Sequence, residues 1–226
     1  MITISELSKS YGTKKVLKNI TIDFHQGKVY GIMGENGAGK TTLFRCIAEL
    51  EKYNGTIVSD DDIIKNSMGF LQTIPYFFAK ITGEEYIRLL CNAREKAFSD
   101  MGSKNIFDLP LNQYASTYST GMKKKLALTA LLMQQNKYII LDEPFNGVDI
   151  QSNIIIMEII RKLKSLNKVI LISSHIFSTL RDSCDEILLL KNGEFVHKAT
   201  KKGFDQLEKM VVKSIVDDKL TKLNLK

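Results

Sequence analysis

Polar and apolar positions alternate through the start of the chain. Residues 2–7 alternate, and residues 19–24 place Ile20, Ile22 and Phe24 on one face. Both patterns predict half-buried strands. Val29-Tyr-Gly-Ile-Met33 is a short apolar run that halts at Gly34 and predicts another strand. Residues 43–50 then take on helical character, and residues 55–58 and 68–71 predict further strands.

The period changes in the middle. Thr82-Gly-Glu-Glu85 is a capping box, and it predicts a helix running to about Phe98 with Tyr86, Leu89, Leu90 and Ala93 on one side. A polar stretch over 99–105 follows. Residues 121–135 predict a second helix with Leu126, Leu128, Leu131 and Leu132 spaced for burial. After that, a buried strand is expected at 138–141, an Ile-rich helix at 152–166 and a strand at 168–173. Residues 187–190 and 195–197 flank an Asn-Gly turn, which predicts a hairpin. Strand–helix alternation implies a largely parallel sheet with helices on its faces, and the helical middle reads as an insertion into it.

Composition narrows the class. The 226 residues are 44% hydrophobic and 25% charged, which fits one large α/β domain, with or without a small inserted lobe. The apolar runs are far short of the roughly 20 residues that span a bilayer, and the first residues do not resemble a signal peptide. Cys46, Cys91 and Cys184 are odd in number and scattered, as reduced thiols would be. Net charge is +7, and residues 191–226 contribute nine Lys against five acidic residues. This basic, amphipathic end is read as solvated surface. Lys123-Lys-Lys125 is read as the solvated start of a helix, and no nucleic-acid partner is expected.

Two segments carry chemistry. Gly34-x4-Gly39-Lys40-Thr41 follows an apolar strand and precedes a helix, the context of a phosphate-binding loop. In such a loop Asn36, Gly37, Ala38 and Gly39 turn backbone N–H groups toward phosphate, as do Lys40, Thr41 and Thr42 at the helix start. Lys40 adds a point charge, and Thr41 offers a hydroxyl to Mg²⁺. Tyr138-Ile-Ile-Leu-Asp142-Glu143 delivers Asp142 to a strand end as a candidate Mg²⁺ ligand. It places Glu143 next in line to poise a water for attack on a γ-phosphate.

With those two segments the chain resembles the nucleotide-binding subunit of an ATP-binding cassette (ABC) transporter over about residues 1–200, with its motifs in the family's order. Ser8-Lys-Ser-Tyr11-Gly resembles the aromatic loop, with Tyr11 as the residue that stacks on adenine. Phe70-Leu-Gln72 resembles the Q-loop, in which Gln72 reaches Mg²⁺ and the attacking water. Tyr118-Ser119-Thr120-Gly121-Met122 resembles the signature motif, whose commonest form is Leu-Ser-Gly-Gly-Gln. Ser119 and Gly121 remain, while Tyr118, Thr120 and Met122 depart from it. Phe145-Asn-Gly-Val-Asp149 resembles the D-loop, and His175 after Ile172-Ser-Ser resembles the switch histidine.

The resemblance implies a P-loop NTPase core with a mainly parallel sheet, an N-terminal antiparallel β-subdomain and an inserted helical subdomain at about 76–136. Residues 201–226 would form a C-terminal extension. It also implies an ATPase using ATP and Mg²⁺. Such a subunit acts as a head-to-tail homodimer, or a heterodimer with a related ATPase subunit, in which Ser119 faces the second copy's nucleotide. A separate integral membrane permease would complete the transporter at the cytoplasmic face of a bacterial membrane. The Tyr-Ser-x-Gly-Met-Lys form resembles cassettes of drug and bacteriocin exporters. The apolar cluster Ile74-Pro-Tyr-Phe-Phe78 suits a permease contact. The alternative is a soluble ABC-type ATPase in translation or DNA maintenance. Against it, the chain holds one cassette and no heptad run.

Overall fold

The computed structural model describes residues 1–61, 63–98 and 101–223, with backbone course alone at 101 and 214–223. The elements in chain order are β1 (Ile2–Tyr11), β2 (Lys14–Phe24), β3 (Lys28–Met33), α1 (Lys40–Ile47), β4 (Asn54–Ser59), β5 (Met68–Leu71) and α2 (Gly83–Asn92). They continue with a one-turn α3 (Met101–Lys104), α4 (Thr120–Met133), β6 (Tyr138–Asp142), α5 (Ile150–Ser165), β7 (Val169–Ser174), α6 (Phe177–Ser183), β8 (Glu186–Lys191), β9 (Glu194–Thr200) and α7 (Phe204–Leu223).

Two sheets form. A small antiparallel sheet runs β2-β1-β4, and a six-stranded sheet runs β5-β6-β7-β3-β8-β9. The larger sheet is parallel except where β9 returns antiparallel to β8. That return is the expected hairpin, with Asn192 and Gly193 both at positive φ as its tight turn requires.

The continuous apolar strands make sense because both faces of the parallel sheet are covered. Val29, Ile139, Leu141, Ile170 and Ile172 point into one apolar cluster, shared with α4, α5, α6 and the helical lobe. Tyr30, Ile32, Tyr138, Ile140, Val169 and Leu171 point into the other, shared with α1 and the antiparallel sheet. A period of two thus splits each strand between two cores. The central strands end together at one edge of the molecule, and the chemistry gathers there.

The helical lobe departs from the sequence reading in detail. The capping box at Thr82 and Glu85 is present, but α2 ends at Asn92 rather than near Phe98. Glu95 adopts a left-handed φ of 52°. Lys96 N–H donates to the Cys91 carbonyl and Glu95 N–H to that of Asn92, the Schellman pattern that closes a helix. The buried face is Ile87 and Cys91, an i,i+4 pair, while Leu89 stands exposed. The polar 99–105 stretch lies partly outside the described residues, and its described end holds α3.

Two elements were not anticipated. One is α6, directly after His175. The other is the packing of α7: Phe204, Leu207 and Val211 join the cluster that holds α6. Phe204 meets Phe177 edge-on at 6.4 Å. Arg181 on α6 also pairs with Asp205 and, at 3.0 Å, with Glu208. The first turns of the expected extension are therefore core; residues 224–226 lie outside the described set.

Replacing Phe204 by Ala is expected to destabilise the fold by about 3 kcal/mol, the scale for a deleted core aromatic. Urea unfolding reads this as a lower midpoint; an unchanged midpoint would mean α7 is not part of the core.

Candidate nucleotide site

The loop between β3 and α1 opens a cavity of about 380 Å³. Its lining includes Asn36, Gly37, Gly39, Lys40, Thr41 and Thr42 from the loop and the helix start, with Thr73, Asp142, Glu143, Asn146 and His175 opposite. Gly39 caps α1 at φ 109°, a conformation that side chains resist. The N-terminus of α1, with its unsatisfied N–H groups and positive dipole end, faces this cavity. Lys40 is 6% exposed, and its ammonium donates to the Gly34 carbonyl at 2.7 Å and that of Glu35 at 3.3 Å.

Asp142 closes the far wall and is fully buried. Its Oδ2 accepts from the Thr41 hydroxyl at 2.7 Å and the Thr73 hydroxyl at 2.8 Å, and its Oδ1 from the Ser173 hydroxyl at 2.5 Å. Ser173 Oγ in turn accepts the Glu143 N–H at 2.9 Å. The donors around Asp142 are hydroxyl and carboxylate oxygens, a hard set suited to Mg²⁺, which binds through one or two protein oxygens plus phosphate and water. Among the described residues no group of three His, Cys, Asp or Glu is placed to hold a metal ion.

Glu143 sits between two cations or potential cations. Its Oε1 is 3.6 Å from the Lys40 ammonium, and its Oε2 is 3.0 Å from His175 Nδ1. Against an ionised carboxylate, which only accepts, His175 would carry its proton on Nδ1. Lys40, Thr41, Asp142, Glu143 and His175 are thus brought together.

Other expected residues stand apart. Gln72 is half-buried and outside the cavity lining, while its neighbour Thr73 is in it. Tyr11 is 44% exposed at the end of β1, with the Lys9 ammonium 4.6 Å from its ring, and lines neither cavity beside the loop. Ser119 and Gly121 lie outside both linings too. Ser119 caps α4 by accepting the Met122 N–H at 3.2 Å.

Two of the signature departures, Tyr118 and Met122, have local reasons. The Tyr118 hydroxyl donates to the Pro110 carbonyl at 2.7 Å and locks the lobe, which Leu could not do. Met122 packs half-buried against the core. Gly121 is required, because a Cβ there would stand 2.7 Å from the Gly147 carbonyl oxygen.

The Lys123–Lys125 reading needs correction. Lys124 is 2% exposed, not solvated, and donates to the carbonyls of Glu143 at 2.7 Å and Asn146 at 2.8 Å. Burial lowers its pKa, opposed by the charges of Glu143 and Asp142. Its position i−4 and i−7 from Leu128 and Leu131 put it on the buried face, a signal hidden by the run of like charges. Ser173 and Thr73 gave less warning; only the register of β6 with β7, Asp142 opposite Ser173, brings the hydroxyl to the carboxylate.

Fold and site together define a P-loop ATPase cassette. The ABC transporter family model matches residues 17–146. The chain is 32% identical to the ABC transporter ATP-binding protein NatA of Bacillus subtilis, covering 92% of this chain and 93% of that protein. It is 30% identical to the lantibiotic transport ATP-binding protein SrtF of Streptococcus pyogenes, covering 97% and 99%. Among solved structures, a dimeric post-hydrolysis state of the ATP-binding cassette MJ0796 bound to ADP and Pi superposes with a TM-score of 0.81 at 23% identity, covering 89% of this chain and 99% of that one. The chain belongs to the ABC transporter family, as an ATP-binding and ATP-hydrolysing subunit; the translation or DNA-maintenance alternative is not favoured.

Asp149 provides a pH test. Its carboxylate accepts the Ser152 N–H and hydroxyl, each at 2.8 Å, and the Lys125 ammonium at 3.1 Å, capping α5. The Ser152 N–H first, then its hydroxyl and Lys125, hold the carboxyl far below the usual range. A depressed folded pKa adds stability above the unfolded value of about 3.9, lost as pH falls through the folded value. Asp149 is expected to stay ionised at pH 3 in a carboxyl-carbon NMR titration; a midpoint near its ordinary value would contradict the cap.

Proposed function

We propose that this chain is the motor subunit of an exporter, acting as a dimer beneath a separate membrane permease at the cytoplasmic face of a bacterial membrane. The observation that carries the reading is the convergence of Lys40, Thr41, Asp142, Glu143 and His175 on one cavity at a helix N-terminus. In this reading residues 1–200 are the ATPase domain, 76–136 its inserted lobe, and 201–226 an extension docked through Phe204.

The loop N–H groups of Asn36, Gly37, Ala38, Gly39, Lys40, Thr41 and Thr42 hold the phosphates of ATP, and Lys40 turns from the loop carbonyls to the outer phosphates. Tyr11 stacks on adenine. Thr41 and Asp142, with Gln72 arriving from the end of β5, would hold Mg²⁺, which would neutralise charge on the phosphate oxygens. His175 exchanges the Glu143 carboxylate for the γ-phosphate, and Glu143 is then free to take a proton from an in-line water.

One copy lacks half of this site, because Ser119 and Gly121 lie outside it. A second copy, or a related ATPase subunit, presents them at the N-terminus of its α4, head to tail. ATP is then the bridge. If it binds only the closed state at about 100 times its dissociation constant, closure gains about 2.7 kcal/mol. Hydrolysis removes the bridge.

The permease contact is supported by the segment after β5. Ile74, Tyr76 and Phe78 are exposed by 80%, 73% and 53%. Phe77 between them turns inward onto Tyr86 at 4.5 Å. An apolar ridge held rigid from behind suits a helix of a membrane protein. No described helix is long and apolar enough to cross a membrane. Coupling to transport is supported by the likeness to a lantibiotic transport ATP-binding protein.

Glu143→Gln is expected to bind ATP, lose turnover by about 100-fold or more, and accumulate an ATP-bound dimer in sedimentation; full turnover would remove Glu143 from its role. Lys40→Ala is expected to lose ATP affinity in a calorimetric titration, and unchanged affinity would contradict the loop assignment.

A further inference from the structure

Glu143 has an unusual backbone. Its φ is 51°, in the left-handed region that residues with a Cβ rarely adopt. Such a conformation persists only where its surroundings hold it. Here both sides of the residue are held. The N–H is taken by Ser173 Oγ at 2.9 Å. The carbonyl is taken by the Lys124 ammonium at 2.7 Å, from a side chain that is 2% exposed. The same ammonium binds the Asn146 carbonyl at 2.8 Å, so it spans the turn that follows β6.

Lys124 stands on the second turn of α4, the helix whose N-terminus is capped by Ser119. Two further contacts fasten this stretch to the same turn: Gly121 lies against the Gly147 carbonyl, and Lys125 pairs with Asp149 at 3.1 Å. The start of α4 and the Glu143–Asp149 loop therefore form one packed unit. A carboxylate aimed from a left-handed residue changes direction if that backbone relaxes, because the Cα–Cβ bond swings with φ and ψ.

We propose that Lys124 is a positioning residue for hydrolysis: by holding the Glu143 carbonyl, it fixes where the Glu143 carboxylate points. It touches no substrate. Because it rides on the helix that Ser119 caps, it also ties the aim of Glu143 in one site to the helix that serves the other. The inference rests on the reading of Glu143 as the group that orients water.

The test uses the full chain with Lys124→Met, Glu143→Gln and the double variant, measuring kcat, KM and the Kd for ATP. Lys124→Met is expected to lower kcat by about 100-fold, the effect of misplacing a catalytic group by about 1 Å, with Kd and KM within about twofold. In the double variant Lys124→Met is expected to change the residual rate of Glu143→Gln by less than about twofold, since groups acting as one unit are not additive. If Lys124→Met lacks the native circular dichroism spectrum, Lys124→Gln is judged by the same limits.

A normal kcat with Glu143→Gln inactive overturns the proposal alone. A loss confined to KM and Kd, or losses that multiply in the double variant, overturns it too and leaves Lys124 a structural residue. Full turnover in Glu143→Gln removes the reading of Glu143 first, and this inference with it.

Discussion

A fully buried carboxylate organises the site end of this molecule. Asp142 has no exposure, and a charge in that position persists only if its oxygens are saturated with donors. Three hydroxyls supply them: Thr41 from α1, Thr73 from the segment after β5, and Ser173 from β7. One side chain therefore ties three neighbouring segments to the end of β6. The phosphate loop is held in register with the strand ends through Thr41, and Glu143 is held through Ser173.

The geometry around that anchor is economical. Lys40 and His175 flank one carboxylate, Glu143, so the polar side chains of the site share a single partner. On the proposed reading, binding of ATP redistributes these partners rather than assembling them. The loop N–H groups and the helix dipole are fixed by backbone, which spares the reorganisation that a flexible polar site would need. Ser119 and Gly121 at the start of α4, by contrast, line neither cavity beside the loop, and on the proposed reading a second copy presents them.

Much of this was legible in the sequence, for reasons that can be named. The phosphate loop and the Asp-Glu strand end are local patterns whose spacing alone encodes geometry. The buried strands announced themselves by continuous apolar runs, and the Asn-Gly hairpin by its turn residues. What escaped depends on packing between distant segments. Lys124 looked like surface because its neighbours are also lysines, yet it faces inward with Leu128 and Leu131. Ser173 and Thr73 meet Asp142 only through sheet register and a loop path. The early end of α2 rests on a left-handed Glu95, for which composition gives no signal. Docking of α7 on α6 hides in a segment dominated by charge.

The central claim is that the loop from Gly34 to Thr41 grips a triphosphate whose metal ion is held by Thr41 and Asp142. A crystal structure of the chain grown with a non-hydrolysable ATP analogue and Mg²⁺ tests it directly. The account predicts the β- and γ-phosphates against the loop N–H groups and Lys40, with the ion beside Thr41 and Asp142. A nucleotide bound elsewhere, with this loop empty, would contradict it.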